Sequence, residues 1–317
     1  MEMRKMLRTN SIMETVQWFV FLLASTVAIP IIIASLYKLN FVELSSLMQR
    51  TFFLVGLTSL LQGLIGHRLP IMEGPAGIWI SVFAVMAVTG AQAGNTYTDS
   101  LRLLEATMIL TGIFLFLFGV FRLAQKLLFI FTPLVTGTFF LLLTVQLSGT
   151  FLQGMLGIQG SGNTIQLKQA ALAFVTFFIV LGLSTFGKGW LKNYSILIGI
   201  IIGWIAYTLF LGAQERDKFS LFAFPEFFAF GTPLFDWSAV IIAFITAIIL
   251  ISNLVASIIA IDQTLGNDTK DYSKQVSKGT MVAGINHGLA GLFATVANVS
   301  LSTSAGFIGL TGQKRRA

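Results

Sequence analysis

The chain contains no cysteine, only six prolines and few charges, since 10% of its 317 residues are Asp, Glu, Lys or Arg. Without cysteine it cannot form disulfide bonds, thiolate metal sites or a cysteine nucleophile. Apolar residues dominate instead: they make up 55% of the chain, 30 of them are phenylalanine, and the mean hydropathy is +0.85. Such values lie far from those of soluble domains. The composition therefore predicts an all-α polytopic integral membrane protein.

The motifs of common enzymes are also absent. The sequence contains no His-Glu-x-x-His, no Gly-x-Ser-x-Gly and no Gly-x4-Gly-Lys-Ser/Thr pattern, which disfavours metalloprotease, hydrolase and ATPase chemistry. Its net charge of +7 arises from short basic clusters between apolar runs rather than from one basic face. We predict no enzyme activity, no cofactor, no metal site and no nucleic-acid partner, and we interpret the basic clusters as topology signals.

Ten apolar segments are candidates for membrane spans, given that a bilayer core takes about 20 apolar residues per helix. They lie near residues 15–36, 47–66, 74–90, 104–122, 131–150, 168–186, 190–212, 236–260, 276–297 and 305–313. The first lacks a convincing small-residue cleavage site and is interpreted as a retained span. The tenth would measure roughly 13 Å as a helix and would cross only half of the bilayer.

The distribution of basic residues predicts the orientation of these spans. If the N-terminus is cytoplasmic, six of the 20 Lys and Arg residues fall outside, and the remaining basic residues fall inside. The six outside are Lys38, Arg50, Arg102, Lys168, Arg216 and Lys218. Because cytoplasmic loops carry the excess of Lys and Arg, we predict a cytoplasmic N-terminus and a multi-pass protein of the cytoplasmic membrane, surrounded by lipid.

Two segments predict breaks in helical backbone at membrane depth. The third span opens within Gly74-Pro75-Ala76-Gly77, and the tenth opens within Thr303-Ser304-Ala305-Gly306. Irregular backbone at this depth is tolerated where it lines a polar cavity, and paired breaks in two halves indicate a transporter site. The alternative is two glycine-rich kinks that only pack. If the breaks are functional, two helix N-termini offer free amides to a polar ligand.

Several motifs resemble those of one family. They are Gln17 in the first span, the stretch from Gly66 to Gly77, Phe131-Thr-Pro-Leu-Val-Thr-Gly137, and Gly306-x4-Thr311-Gly312. On these residues the chain resembles the nucleobase–ascorbate transporters, which include the bacterial uracil and xanthine permeases, and most of all their divergent purine and pyrimidine permease-like members in bacilli. The resemblance runs from about Glu14 to Gly312.

The resemblance implies a fold of two inverted seven-span repeats. It places core-domain spans one to four in residues 1–127, gate-domain spans five to seven in 128–235, and core-domain spans eight to ten in 236–317. The third and tenth helices would be broken and preceded by short extended segments. Because the family pattern continues through spans eleven to fourteen, we expect this polypeptide alone to be unstable or inactive in transport.

The resemblance also implies a substrate site. The predicted substrate-binding residues are Gln17, Trp18, Glu73, Gly77, Asn253, Thr303, Ser304, Ala305 and Gly306. Backbone amides near Gly77 and Ser304 would pair with the edge of a planar base, and Trp18 or Trp79 would stack on its face. Asn253 stands where the family has a substrate-binding Glu, and Thr303 stands where it has an acidic or amide residue. This chain therefore departs from the family in its charged ligands.

Other polar residues allow both functional and structural interpretations. Glu73 precedes the first break, and an intramembrane carboxylate is functional by default; the alternative is an interfacial Glu paired with Arg68. Asn253 could line a cavity or bond a neighbouring helix. We interpret Asp262 as a solvated helix end and His287 as a helix-contact residue, although a histidine can titrate near neutral pH.

The sequence therefore predicts a secondary transporter for a nucleobase, such as xanthine or uracil, coupled to protons or sodium. The sequence is also compatible with a homodimer. One alternative is an anion transporter of the related sulfate-transporter fold, since helix N-termini also bind anions. Another is a non-transporting, truncated or degenerate paralogue that keeps the fold.

Overall fold

A computed structural model of the chain describes residues 2–126, 132–158, 164–188, 190–193, 195–212, 224–266 and 271–311. The first half contains α1 (Glu2–Tyr37), α2 (Phe41–Leu64), β1 (Glu73–Pro75), α3 (Gly77–Gln92), α4 (Tyr97–Val120), α5 (Leu123–Lys126) and α6 (Pro133–Met155). The second contains α7 (Leu167–Phe186), α8 (Trp190–Asn193), α9 (Ser195–Leu211), α10 (Trp237–Leu265), α11 (Ser273–Leu292), β2 (Asn298–Ser300) and α12 (Thr303–Thr311).

Side-chain caps define where several helices begin. Asn40 and Glu43 form a capping box at the start of α2, and Thr96 and Asp99 form one at the start of α4. Asp236 caps α10, whose Ser238 N–H donates to Oδ1 of the aspartate at 2.7 Å. Each cap satisfies amides that the first helical turn leaves without partners.

Each of the ten apolar segments coincides with helix in the described residues, with shifted ends. The seventh segment is divided between α8 and α9, and the end of the tenth lies outside the described residues. The largest correction concerns the ninth segment, predicted to reach residue 297. Its helix ends at Leu292, because residues 293–297 turn the chain into β2 instead.

Five described helical stretches are long and apolar enough to cross a membrane. They are Thr15–Ala34, Phe41–Leu64, Tyr97–Val120, Leu167–Phe186 and Trp237–Leu265. Two shorter apolar helices, Gly77–Gln92 and Ile198–Leu211, accompany them. Large apolar side chains such as Phe186, Leu209 and Phe210 are exposed on the outer helices, as expected for surfaces that face lipid.

The most extensive packing joins helices from both ends of the chain. Helix α4 packs along α11 and against α10, while α2 contacts α1 and α11. One apolar cluster centres on Trp79 and Phe83 of α3, and a second centres on Trp18 of α1 and Phe307 of α12. Helices α7, α8 and α9 pack mainly on one another.

The two short strands lie inside this packed region. Strands β1 and β2 pair antiparallel, with Glu73 opposite Ser300 and Pro75 opposite Asn298. The backbone pairing continues at both ends: Ala76 N–H donates to Ala297 O at 3.1 Å, and Leu301 N–H donates to Met72 O at 2.8 Å. Pairing satisfies buried backbone groups that lipid cannot satisfy. It also joins two segments that lie over 200 residues apart in sequence.

Candidate functional site

The strand pair brings together the starts of two short helices. Helix α3 begins at Gly77, just after β1, and α12 begins at Thr303, just after β2. Because the strands are antiparallel, the two helices begin at opposite ends of the short ladder. The α3 N-cap, Ala76, forms no side-chain cap hydrogen bond, so first-turn amides of α3 are candidate donors for a ligand.

Glu73 lies at the end of the ladder that adjoins α12 and is buried, with 1% of its surface exposed. Its Oε1 accepts a 2.6 Å hydrogen bond from the Ser300 hydroxyl across the strand pair. Its Oε2 is buried and has no hydrogen-bond partner, and its backbone N–H donates to Ser59 Oγ at 3.2 Å. One carboxylate oxygen is therefore fixed by the fold, and the other is available.

His67 is the basic neighbour of this carboxylate. Its Nε2 lies 3.6 Å from Glu73 Oε1, and both side chains are fully buried. Arg68 was the predicted alternative partner, and that pairing is wrong: Arg68 is exposed and its Nε–H donates to Leu64 O. Sequence reasoning missed His67, although it lies in the same Gly66-to-Gly77 stretch that carried the family resemblance.

Ser300 is held by polar side chains from α10. Asn253 Nδ2 donates to Ser300 O at 3.2 Å, and the Ser257 hydroxyl donates to the same oxygen at 2.9 Å. Asn253 therefore reaches the strand pair, although its amide binds the backbone rather than a cavity. Asn286 of α11 acts similarly, because its Nδ2 donates to Asn298 O at 2.9 Å.

The predicted residues at the start of α12 differ in accessibility. Ser304 is buried, and its hydroxyl accepts a hydrogen bond from Met72 N–H at 3.1 Å. Ala305 is half-buried, whereas Thr303 and Gly306 are exposed. A Cβ placed on Gly306 would meet no atom within 4 Å. The exposed face of this first turn is therefore open, and Gly77 at the start of α3 is half-buried.

The aromatic candidates pack within the protein. Trp18 lies 4.4 Å from Phe307 between ring centroids and is buried, as is its neighbour Gln17. Trp79 is fully buried, and its Nε1–H donates to His287 Nε2 at 3.3 Å. His287 thus makes the helix contact that we predicted for it. Stacking of either tryptophan on a base would require side-chain movement.

Asp262 was predicted to be a solvated helix end, and this interpretation is wrong. The residue is 4% exposed, and its Oδ2 accepts a hydrogen bond from the Tyr272 hydroxyl at 3.1 Å. Helix α10 continues beyond it to Leu265, where Gly266 takes a left-handed conformation with φ of 73° and ends the helix. Asp262 therefore joins α10 to the residue that precedes α11.

A cavity of about 440 Å³ adjoins the strand pair between α1, α2 and residues 69–72. Trp18, Phe19 and Leu22 line it from α1, and Ser59 and Gly63 line it from α2. Its volume is that of a small-molecule site, and its lining is mostly apolar. Ser59 connects the cavity to the buried backbone of β1 through the hydrogen bond described above.

A second buried charged cluster lies away from the strand pair. Arg50 of α2 donates to Ala294 O at 3.2 Å and to Ser46 Oγ at 2.6 Å. Glu105 of α4 accepts a hydrogen bond from Phe230 N–H at 3.3 Å, while its Oε2 is buried without a hydrogen-bond partner. These contacts fasten the segment before α10 to the helix bundle. Among the described residues, no group of three or more His, Cys, Asp or Glu could hold a metal ion.

Comparison with known proteins places this architecture among permeases. A family model described as "Permease family" matches residues 9–317. The predicted purine permease YwdJ of Bacillus subtilis is 33% identical over 95% of this chain and 69% of its own length. The xanthine permease of the same organism is 30% identical over 95% of this chain and 67% of its own length. The uric acid permease PucJ of the same organism is 28% identical over 92% of this chain and 65% of its own length.

The chain thus spans about two thirds of the length of these relatives. A solved structure, the transmembrane domain of the cyanobacterial bicarbonate transporter BicA, superposes with a TM-score of 0.62. The alignment covers 93% of this chain and 75% of that domain, at 15% sequence identity. At this identity the likeness concerns the fold alone, which is that of a transporter's membrane domain.

Proposed function

The chain belongs to the permease family that matches residues 9–317, the nucleobase–ascorbate transporters, and from this premise we propose that it moves a nucleobase across the cytoplasmic membrane by secondary active transport. The favoured substrates are purines such as xanthine, because the relatives include purine, xanthine and uric acid permeases. Uracil is the second candidate. Coupling to a proton or to sodium would drive accumulation.

The observation that carries the proposal is the buried strand pair with the starts of α3 and α12 at its two ends. A nucleobase is planar and presents alternating hydrogen-bond donors and acceptors along its edge. Backbone amides near Gly77 and Ser304 suit its carbonyl oxygens, and Glu73 Oε2 suits its ring nitrogens, because this oxygen accepts from a ring N–H when ionised and donates to a bare ring nitrogen when protonated. Recognition of such an edge needs both backbone amides and a side-chain carboxyl group. The strand pair and the two helix starts beside it supply both.

Each predicted site residue takes a role in this proposal. Gly306 and Thr303 form the open face of α12, and Ala305 lies between them. Asn253 and Ser304 hold the strand pair through backbone contacts rather than bind the base directly. Gln17 and Trp18 close the site from α1, beside the apolar cavity.

In the proposed mechanism, alternating access comes from movement between two groups of helices. A core domain would contain residues 1–127 and 236–317, and a gate domain would contain residues 128–235. The site lies wholly on the first group, so the base would be carried with it. An inorganic anion suits this site less well, because a buried carboxylate would repel it.

Ligand binding to purified protein in lipid nanodiscs tests the proposal. We expect saturable binding of labelled xanthine, competition by unlabelled purines, and weaker competition by uracil. Sulfate and bicarbonate should not compete. In proteoliposomes that contain a verified full-length chain, internal xanthine should drive counterflow of labelled xanthine. Displacement of the base by sulfate, or saturable anion binding without base binding, would favour the anion transporter. Base binding without counterflow by the full-length chain would favour the non-transporting paralogue.

A further inference from the structure

We propose that Glu73 Oε2 is the site that takes up the coupling proton, and that His67 is a positioning residue that keeps Glu73 ready to receive it. The proposal deepens the proposed function and rests on it. It assigns the coupling ion to a proton and the coupling site to the strand pair.

The first step is the unequal use of the two carboxylate oxygens. Oε1 receives the Ser300 hydroxyl at 2.6 Å and faces His67 at 3.6 Å, while Oε2 is buried without any hydrogen-bond partner. A carboxylate that stays charged is normally satisfied at both oxygens when it is buried. A proton bonded to Oε2 would neutralise the group without disturbing the two contacts at Oε1.

The second step is the tautomer of His67. Its Nδ1 accepts a hydrogen bond from Leu69 N–H at 3.0 Å, so in the neutral ring the proton is carried by Nε2, on the side of Glu73. A second proton would have to bond to Nδ1 and break the contact with Leu69. A proton bonded to Glu73 Oε2, by contrast, leaves the contact between Leu69 and His67 intact.

The third step is that the hydrogen-bond partners of Glu73 among the described residues carry no charge. The groups that face it are neutral: Ser59 from α2, Ser300 from β2, and Asn253 and Ser257 behind Ser300 from α10. Within the described residues, no lysine or arginine forms an ion pair with it, and its one ion-pair contact is with His67.

The last step connects the proton to the base. The hydrogen bond from Ser300 is charge-assisted while Glu73 is ionised, and it weakens when Oε2 takes a proton from water. Glu73 and Ser300 are direct partners across the strands that precede α3 and α12. Protonation therefore changes the force between the two strands at the place where the base would bind, and base binding changes the proton affinity in return.

The test compares Glu73→Gln with the matched control Glu105→Gln. Glu105 is a second buried carboxylate with one unpartnered oxygen, and it lies away from the strand pair. Infrared titration of the protein in nanodiscs measures protonated carboxyl groups without any ligand. We expect one titrating carboxyl signal, that of Glu73, to disappear in Glu73→Gln and to remain in Glu105→Gln. Both variants must first show a single monodisperse species in gel filtration.

Base affinity as a function of pH provides the second readout, with a base whose own ionisation lies outside the range tested. We expect the wild type and Glu105→Gln to show a slope approaching tenfold in Kd per pH unit, the value for one coupled proton. Glu73→Gln should lose this slope. His67→Gln, which keeps an N–H, should retain the slope, while His67→Leu should shift its midpoint, because the carboxylate loses the imidazole that lies 3.6 Å from Oε1.

Several results would overturn the proposal. They are an unchanged carboxyl titration in Glu73→Gln, a preserved pH slope in that variant, loss of the slope in Glu105→Gln, or a dependence of affinity on sodium at fixed pH. If the wild type binds no base, the proposed function fails, but the infrared titration still decides whether Glu73 is the proton site. The two failures are therefore distinguishable.

Discussion

At the scale of single residues, many polar groups inside the bundle hydrogen-bond to one another. His287 shows the pattern: its Nδ1 bonds Ala283 O at 2.8 Å, and its Nε2 accepts from Trp79 Nε1 at 3.3 Å. These two contacts describe a neutral ring with its proton on Nδ1. Such pairing matters in a membrane because lipid offers no replacement partner. Two buried carboxylates, Glu73 and Glu105, each keep one oxygen without such a partner.

Asp262 allows a test at this scale. Because Asn keeps an oxygen that can accept the Tyr272 hydroxyl, we expect Asp262→Asn to leave base binding and its pH dependence near the wild-type values. Asp262→Leu removes this buried hydrogen bond and should destabilise the protein by roughly 1–3 kcal/mol. Thermal unfolding in detergent, followed by fluorescence, measures the difference. Loss of pH dependence in Asp262→Asn would indicate that the coupling charge is on α10.

At the scale of secondary structure elements, the contact between α4 and α11 depends on glycine. A Cβ on Gly112 would lie 2.6 Å from Gly288 N, and a Cβ on Gly291 would lie 2.7 Å from Glu105 O. Gly284 is equally close, with a Cβ 2.7 Å from Gly112 O and in contact with Phe116 N. Small residues allow membrane helices to approach closely, where van der Waals packing and backbone contacts hold them.

The pair of glycines Gly284 and Gly288 provides a matched comparison on one helix. A Cβ on Gly288 meets no atom within 4 Å, whereas a Cβ on Gly284 collides with the backbone of α4. We expect Gly284→Ala to destabilise the protein by about 1–3 kcal/mol, as overpacking does. Gly288→Ala should be close to neutral. Melting temperatures of the two purified variants decide the matter, and equal values would contradict this account of the contact.

At the scale of the whole molecule, both ends of the chain build the same packed region. Helices α1 to α4 and α10 to α12 share the two apolar clusters and enclose the strand pair. The described helices α7 to α9 carry large exposed apolar side chains and pack mainly on one another. This division is the basis of the proposed movement between a core and a gate domain.

Orientation in the membrane is tested with single cysteines, because the natural chain contains none and gives no background. Asn95 and Lys126 are both exposed and lie near opposite ends of the α4 and α5 region. The bias of basic residues predicts that Asn95 is external and Lys126 is cytoplasmic. In intact cells an impermeant maleimide should therefore label a cysteine at position 95 and spare one at position 126. The reverse labelling would invert the topology.

Much of the fold could be predicted from the sequence, because hydrophobic length and helix-breaking residues act locally. The ten apolar segments coincide with described helices, and the extended segments before α3 and α12 were predicted from Gly74, Pro75 and the Ser- and Thr-rich run near residue 303. The family was predicted from motifs within the sequence, and the family model that matches residues 9–317 confirmed it. Helix ends were less certain, since residues 293–297 leave the helix to reach a strand partner far away in the sequence.

The contacts of the candidate site were decided only by the tertiary structure. Nothing near Glu73 in the sequence indicates Ser300 as its partner, since that contact requires two segments separated by 227 residues to pair as strands. His67 was within reach of sequence reasoning, but its role depends on a turn that aims Nε2 at the carboxylate. Asp262 was likewise predicted to be solvated, because its contact with the Tyr272 hydroxyl exists only in the folded chain. Composition and spacing determine which segments enter the membrane and where their helices break, because each segment responds to lipid independently. Which polar groups meet inside is decided by packing between distant segments.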